Sequence, residues 1–108
     1  MKTDLEKSTF QNKPAYRYIR KSDKVPRPSA TDGKADPIAR IKLFDPTGWW
    51  TWYIVEYDPE TRTAYGLVDG FERELGYFSM AELVGIRGAF GLPIERDIHW
   101  RPRPISEC

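Results

Sequence analysis

Hydrophobic and polar positions alternate along most of the chain after residue 37, and this alternation is the pattern of β-strands. It runs through residues 38–44, while the aromatic and β-branched residues of 49–57 fit a pleated sheet better than a helix. Turn-forming residues at 58–61 separate that segment from another alternating run at 63–69. The pattern therefore predicts a hairpin preceded by one strand.

Two shorter strands and a helix complete the predicted order. Residues 74–79 form a short alternating run, and Ser79 with Glu82 matches the capping box that begins a helix over 80–87. Alternation returns at 94–100. We predict an α+β fold, in which a small antiparallel β-meander sheet carries one helix on one face and gains a final strand after the helix.

The first 37 residues show no such pattern. Residues 21–37 are rich in Pro, Ser, Asp, Gly and Lys, a composition typical of a linker. We expect residues 1–37 to form a flexible basic N-terminal arm and linker, residues 38–104 a single α+β domain, and residues 105–108 a C-terminal tail.

Composition adds limits on the setting of the protein. At 108 residues the chain has room for one core, and its single cysteine, Cys108, permits no internal disulfide. No apolar stretch approaches the roughly 20 residues of a membrane span, and the N-terminus lacks the apolar segment of a signal peptide. We expect a cytoplasmic protein with no membrane contact and no cofactor, either a monomer or a weak homodimer.

Charge is unevenly distributed along the chain. Residues 1–34 carry nine Lys and Arg against four acids, whereas the remainder carries eight against twelve, so a net charge of +1 hides a basic arm on an acidic body. Such an arm can contact a polyanion or fold back onto its own domain. Both alternatives stay open at this point.

The aromatic strand is the main candidate for a binding surface. On a regular strand Trp50 and Trp52 point to one side while Tyr53 and Tyr57 point to the other, and one small helix covers a single face. The uncovered rings could pack in the core, form a protein interface or stack on nucleic-acid bases. The candidate binding residues are Trp49, Trp50, Trp52, Tyr53, Tyr57, Arg17, Arg20 and Lys21.

The last predicted strand carries polar residues with candidate chemistry. Glu95, Asp97 and His99 alternate along the last predicted strand and are weak candidates for a metal site, but their spacing of about 7 Å along a strand is too long for one ion. Arg96 points to the apolar side, so it must pair with an acid such as Glu82 or Asp69 or extend outward to solvent, and we expect a structural ion pair.

A further acidic group lies near the predicted end of the hairpin. It consists of Asp69, Glu72 and Glu74 around two glycines. It lacks the spacing of a calcium loop, and we interpret it as turn chemistry. No residue pattern indicates a nucleophile, so we expect no enzyme activity.

Three blocks resemble a family of short bacterial, plasmid and phage proteins described as a domain of unknown function. They are ARIKLFDPTGWWTWYIVEYDPETRTAYGLVDG, ELGYFSMAELVGIRG and GLPIERDIHW, in that order within residues 26–107. The resemblance implies an accessory protein of a mobile genetic element and implies no catalytic residue or cofactor. The tandem Trp49 and Trp50 departs from the single tryptophan common in the family.

Pattern and resemblance together predict a non-enzymatic accessory protein that acts by binding a protein of the host or of the mobile element. In one version of this hypothesis, the protein counteracts a host defence system. One alternative is a single-stranded nucleic-acid-binding protein that uses the aromatic strand and the basic arm. Another is a metal-dependent hydrolase at Glu95, Asp97 and His99.

Overall fold

The protein is mainly β, and the prediction of an α+β fold is wrong. The computed structural model describes residues 4–8, 10 and 17–108. These residues contain one α-helix of four residues and nine strands: β1 (Asp4–Glu6), β2 (Ile19–Arg20), β3 (Ile38–Ala39), β4 (Ile41–Phe44), β5 (Thr51–Asp58), β6 (Thr63–Asp69), β7 (Arg73–Ser79), β8 (Glu95–Arg96) and β9 (Arg103–Pro104).

Five of these strands form one antiparallel sheet in the order β7-β6-β5-β4-β8. The predicted hairpin is confirmed, because β5 pairs with β6 from Thr51 opposite Asp69 to Asp58 opposite Thr63. β1 pairs with β2 and β3 pairs with β9 in two small antiparallel sheets. β7 and β8 are therefore the two edges of the main sheet.

The helix α1 (Met80–Leu83) is half the predicted length. Its N-cap is as predicted, since the amide of Glu82 donates to the Ser79 hydroxyl at 3.2 Å. After Val84 the amides of Gly85 and Ile86 donate to carbonyls only three residues back, which is a tightened helix end. Glycine is a poor helix former, so the turn does not continue, and one helical turn is too short to be a layer of the fold.

Both faces of the sheet are covered over its central strands, mostly by chain without regular structure. The face that carries Trp52 and Ile54, here called the Trp52 face, packs against Tyr18, Ile19 and Ile94 as well as α1. On the opposite face, here called the Tyr53 face, Tyr53, Val55, Leu67 and Ala39 form a second cluster, and the partly buried hydrophobic residues packed against it are Tyr65, Trp100, Ile105 and Cys108. The C-terminal segment thus covers the face that the single predicted helix would have left open.

A β-bulge changes which rings share a face. The pairing of Ile54 with Gly66 is followed by Glu56 with Tyr65, which leaves Val55 as an extra residue. The side chain of Tyr57 consequently joins the Trp52 face, although regular alternation predicts the Tyr53 face. The bulge therefore exchanges the expected sides of Glu56 and Tyr57.

The predicted last strand is also shorter than the pattern indicates. Only Glu95 and Arg96 pair with β4, and the chain then turns, with the amide of Trp100 donating to the carbonyl of Asp97 at 3.2 Å. The predicted strand at 38–44 is divided at Arg40, so that its first part pairs with β9 and its second part with β5. Both changes bring the C-terminal segment across the Tyr53 face.

Residues before 38 contact the sheet closely. Tyr18 and Ile19 have no exposed surface, and the Tyr18 hydroxyl donates to the carbonyl of Ile94. Farther along, the amide of Tyr57 donates to the carbonyl of Pro26 at 2.9 Å. The N-terminal residues 1–3, 9 and 11–16 of the predicted arm lie outside the described part of the chain.

Candidate functional site

The candidate aromatic residues divide into a buried and an accessible set. Trp52, Tyr53 and Tyr57 lie in the core, whereas Trp49 is 71% exposed and Trp50 is half-buried. Burial and the neighbouring Glu6 carboxylate raise the pKa of the Tyr57 hydroxyl above its ordinary range. Of the five rings, only Trp49 and Trp50 are available to a partner.

The three basic candidates of the arm belong to the segment that is attached at the β8 edge of the main sheet. Arg17 and Arg20 each approach Asp4, at 3.8 and 3.7 Å, and Lys21 is exposed. Residues 18–23 are attached beside β8, because Arg96 donates to both Tyr18 and Asp23. The structure therefore does not bring the basic residues together with the β7 edge at the other side of the sheet.

Glu95, Asp97 and His99 do not converge. One carboxylate oxygen of Asp97 lies 3.9 Å from the ammonium group of Lys42, and the other accepts the amide of His99 at 3.0 Å. Among residues 4–8, 10 and 17–108, no group of three His, Cys, Asp or Glu side chains is placed to hold a metal ion. Asp97 thus shapes the turn that follows β8.

Two of the exposed large apolar side chains lie side by side on the edge strand β7. Leu75 is 52% exposed and Tyr77 is 74% exposed, and both project on the Tyr53 face opposite Leu67 and Tyr65. Outside the ladder with β6, no hydrogen bond among the described residues engages the backbone of β7. A strand edge of this kind has unpaired N–H and C=O groups alternating with apolar side chains.

A groove runs beside Leu75 and Tyr77 on the Tyr53 face. The rings of Tyr65 and Tyr77 lie 5.0 Å apart at their centroids and form its floor. The rest of the lining comes from residues 28–37 and from the β5–β6 turn, and two adjoining cavities of about 250 and 220 Å³ occupy it. The groove is large enough for side chains of a bound segment.

A carboxylate of β5 fixes the outer wall of this groove. Glu56 accepts the amides of Ser29 and Thr31 at 3.0 and 2.9 Å and also accepts the Thr31 hydroxyl. Burial opposes ionisation of Glu56, but these three hydrogen bonds outweigh it and hold its pKa below the ordinary value. The charged form of Glu56 therefore holds residues 29–31 in place.

A second hollow lies on the Trp52 face, next to the start of β7. Trp50 meets Phe71 edge-on, with centroids 5.3 Å apart and an interplanar angle of 81°. Val68, Glu72 and Glu74 complete the lining of a cavity of about 290 Å³. The two hollows therefore open on either side of the same edge strand.

Sequence reasoning missed most residues of this site. Leu75, Tyr77, Phe71 and Glu56 were not among the candidates, although residues 74–79 were identified as a strand. The alternation of Leu75 with Tyr77 is visible in the sequence, but it does not indicate whether the strand lies at an edge or in the middle of a sheet. Edge position depends on the pairing of all five strands.

The fold and the site define a small, mainly β protein with an open sheet edge between two hollows. Residues 16–107 match the family described as Protein of unknown function (DUF2958), and the chain belongs to this family. Comparison with curated proteins and with solved structures found no match. In the described part of the chain, no helix combines the length and apolarity of a membrane span.

Proposed function

We propose that this protein is a non-enzymatic binding module that receives an extended segment of a partner protein along β7. The observation that carries the proposal is the open backbone edge of β7 beside the exposed Leu75 and Tyr77. Addition of a strand to such an edge gains main-chain hydrogen bonds, and pockets for alternate side chains give specificity. The Tyr65–Tyr77 groove supplies such a pocket.

A protein partner is favoured over single-stranded nucleic acid by charge. Glu72 and Glu74 lie beside the Trp50 and Phe71 rings, on which bases would have to stack. Carboxylates repel phosphates, and phosphate contacts supply most of the affinity of nucleic-acid binding. Arg17 and Arg20 lie close to Asp4, at 3.8 and 3.7 Å, in the segment attached beside β8, which is the opposite edge of the sheet from β7.

The proposed setting is a plasmid, phage or other mobile genetic element, where a small binding protein could block a host defence complex. This part of the proposal rests on the family resemblance. A partner from restriction or CRISPR machinery would support it, and a partner with no role in defence would count against it.

Site-specific photo-crosslinking in the native host tests the proposed edge. Benzoylphenylalanine replaces Tyr77 in one variant and Ile98, which is 56% exposed elsewhere, in the control. We expect a protein adduct at position 77 and none at position 98. Equal adducts at both positions, or an adduct with nucleic acid, would contradict the proposal.

The identified partner then permits a quantitative test. The double variant Leu75→Thr/Tyr77→Thr keeps strand propensity and charge but removes the apolar side chains, and Ile86→Thr/Ile98→Thr is the matched control at exposed positions. We expect at least about tenfold weaker binding for the first pair and little change for the second. Slower hydrogen exchange of β7 amides in the complex would locate the added strand; unchanged affinity would contradict it.

A further inference from the structure

The hollow on the Trp52 face has an aromatic corner formed by Trp50 and Phe71. The Trp50 ring stacks on Trp52 with centroids 6.0 Å apart and is held over Gly70, where a Cβ would lie 2.4 Å from the nearest ring atom. Phe71 meets it almost perpendicularly and is 84% exposed. Two rings at a right angle present their surfaces to one small volume.

Two carboxylates, those of Glu72 and Glu74, border this corner. Neither Glu72 nor Glu74 forms a salt bridge with any described residue. Arg73 lies between them in the sequence, but its guanidinium donates to Asp69 at 2.9 Å and to the carbonyl of Cys108 at 3.0 Å. Hydrogen bonding to Glu72 and repulsion from its charge raise the pKa of the Glu74 carboxyl. The hollow therefore has negative charge that the described residues leave unbalanced.

We propose that this hollow binds the guanidinium group of an arginine on the partner protein. A guanidinium stacks on an aromatic ring, is more weakly hydrated than an ammonium group and matches a carboxylate with two parallel hydrogen bonds. The rings of Trp50 and Phe71 offer the stacking surface, and the two glutamates offer the carboxylates. The inference deepens the proposed function and rests on it, since a segment paired with β7 would direct alternate side chains to this face.

A short peptide tests the hollow without the partner. The probe is acetyl-Gly-Arg-Gly-amide, and the comparison peptides carry citrulline, which is neutral and of similar shape, or lysine. The indole N–H resonance of Trp50, assigned with Trp50→Phe, reports binding by NMR. We expect saturable shifts with the arginine peptide, at least about tenfold weaker binding with citrulline, and intermediate binding with lysine.

Paired variants assign the effect to the two glutamates. Glu72→Gln/Glu74→Gln should weaken the arginine peptide at least about tenfold, whereas Glu82→Gln/Glu107→Gln, at exposed positions elsewhere, should leave it unchanged. Equal binding of the arginine and citrulline peptides, or an unaffected Glu72→Gln/Glu74→Gln variant, would overturn the inference.

The β7 variant separates this inference from the proposed function. Leu75→Thr/Tyr77→Thr changes the opposite face, so it should retain the arginine peptide while it loses the partner. If the partner binds at β7 and the peptide does not bind, the arginine site alone is wrong. If the peptide binds and the β7 variant retains the partner, strand addition alone is wrong.

Discussion

Arg96 on β8 forms a two-point ion pair with Asp23, with both nitrogen–oxygen distances at 2.6 Å. The two side chains are only 16% and 12% exposed. The predicted structural ion pair at Arg96 is confirmed, but its partner is Asp23 and neither Glu82 nor Asp69. The pair connects the segment before β3 to the edge of the main sheet.

Replacement of Asp23 by asparagine should destabilise the protein. Arg96 would lose its charged partner in a largely buried place, so we expect the free energy of unfolding to fall by about 2 to 3 kcal/mol. Denaturant unfolding measures the change. Glu60→Gln is the control, because Glu60 is 82% exposed and lies 3.9 Å from Arg27, a geometry of little energetic value. Equal effects of the two variants would contradict this role of Asp23.

The same ion pair should make stability dependent on pH. Burial raises the pKa of Asp23, but the hydrogen bonds and charge of Arg96 together with the Arg20 amide outweigh it, so the folded pKa lies below the ordinary 3.8. A carboxyl group whose pKa is lower in the folded protein stabilises the fold at pH values above its pKa in the unfolded chain. That contribution is lost as the pH falls through the pKa of the folded state.

The pH effect can be isolated by comparison of two proteins. The difference in unfolding free energy between the wild type and Asp23→Asn should be constant from pH 5 to 7 and should shrink below about pH 4. Urea unfolding at a series of pH values measures it. A difference that persists unchanged to the lowest pH at which both proteins fold would argue against ionisation of Asp23 as the cause.

The sequence pattern was sufficient for the local elements of the main sheet. Alternation and turn residues located the hairpin of β5 and β6, and the capping residues located the start of α1. Each of these depends on residues that are close together in the chain. Their positions were therefore predictable without knowledge of tertiary contacts, although β5 begins at Thr51 and not at residue 49.

The covering of the two faces could not be predicted in the same way. Tyr18 and Ile19 are fully buried, but Tyr18 lies just before the two-residue strand β2 that Ile19 begins. Trp100 packs on Tyr53 with centroids 5.8 Å apart, from a segment that is not a strand. Such contacts join distant parts of the chain and have no periodicity. The bulge at Val55 likewise belongs to the pairing of β5 with β6, so alternation along the sequence could not predict the face on which Tyr57 lies.

The close approach of the β5 backbone to Gly66, beside the bulge, predicts a severe effect of Gly66→Ala. A Cβ at residue 66 would lie 1.8 Å from the backbone oxygen of Tyr53, and backbone cannot move away cheaply. We expect a loss of more than about 3 kcal/mol, or failure to fold. Gly76→Ala is the matched control, since a Cβ there meets nothing within 4 Å. Thermal unfolding compares the two, and similar melting temperatures would contradict the close approach.

Phe90 should be a site where glycine stabilises the fold. Its φ angle is +61°, which is costly for a residue with a Cβ, and its side chain is 96% exposed. Phe90→Gly should raise the free energy of unfolding by up to about 1 kcal/mol, because the strain is removed and almost no packing is lost. Phe90→Ala keeps the strain and should change little. Denaturant unfolding of both variants measures the effect, and a loss of stability in Phe90→Gly would show that the ring contributes packing.

Glu6 provides a test of where the folded domain begins. Its side chain is 2% exposed, and its carboxylate accepts two hydrogen bonds from Arg62, at 2.8 and 2.9 Å, and one from the Tyr57 hydroxyl. Glu6→Gln cannot satisfy all three donors, so we expect a loss of about 2 kcal/mol in the free energy of unfolding. Asp4→Asn in the same strand is the control, because its oxygens are 3.7 and 3.8 Å from the nearest arginine nitrogens. A clear difference between the two variants in denaturant unfolding would place β1 inside the folded unit, whereas sequence patterning began the domain at residue 38. Equal and negligible effects would leave that boundary where the pattern put it.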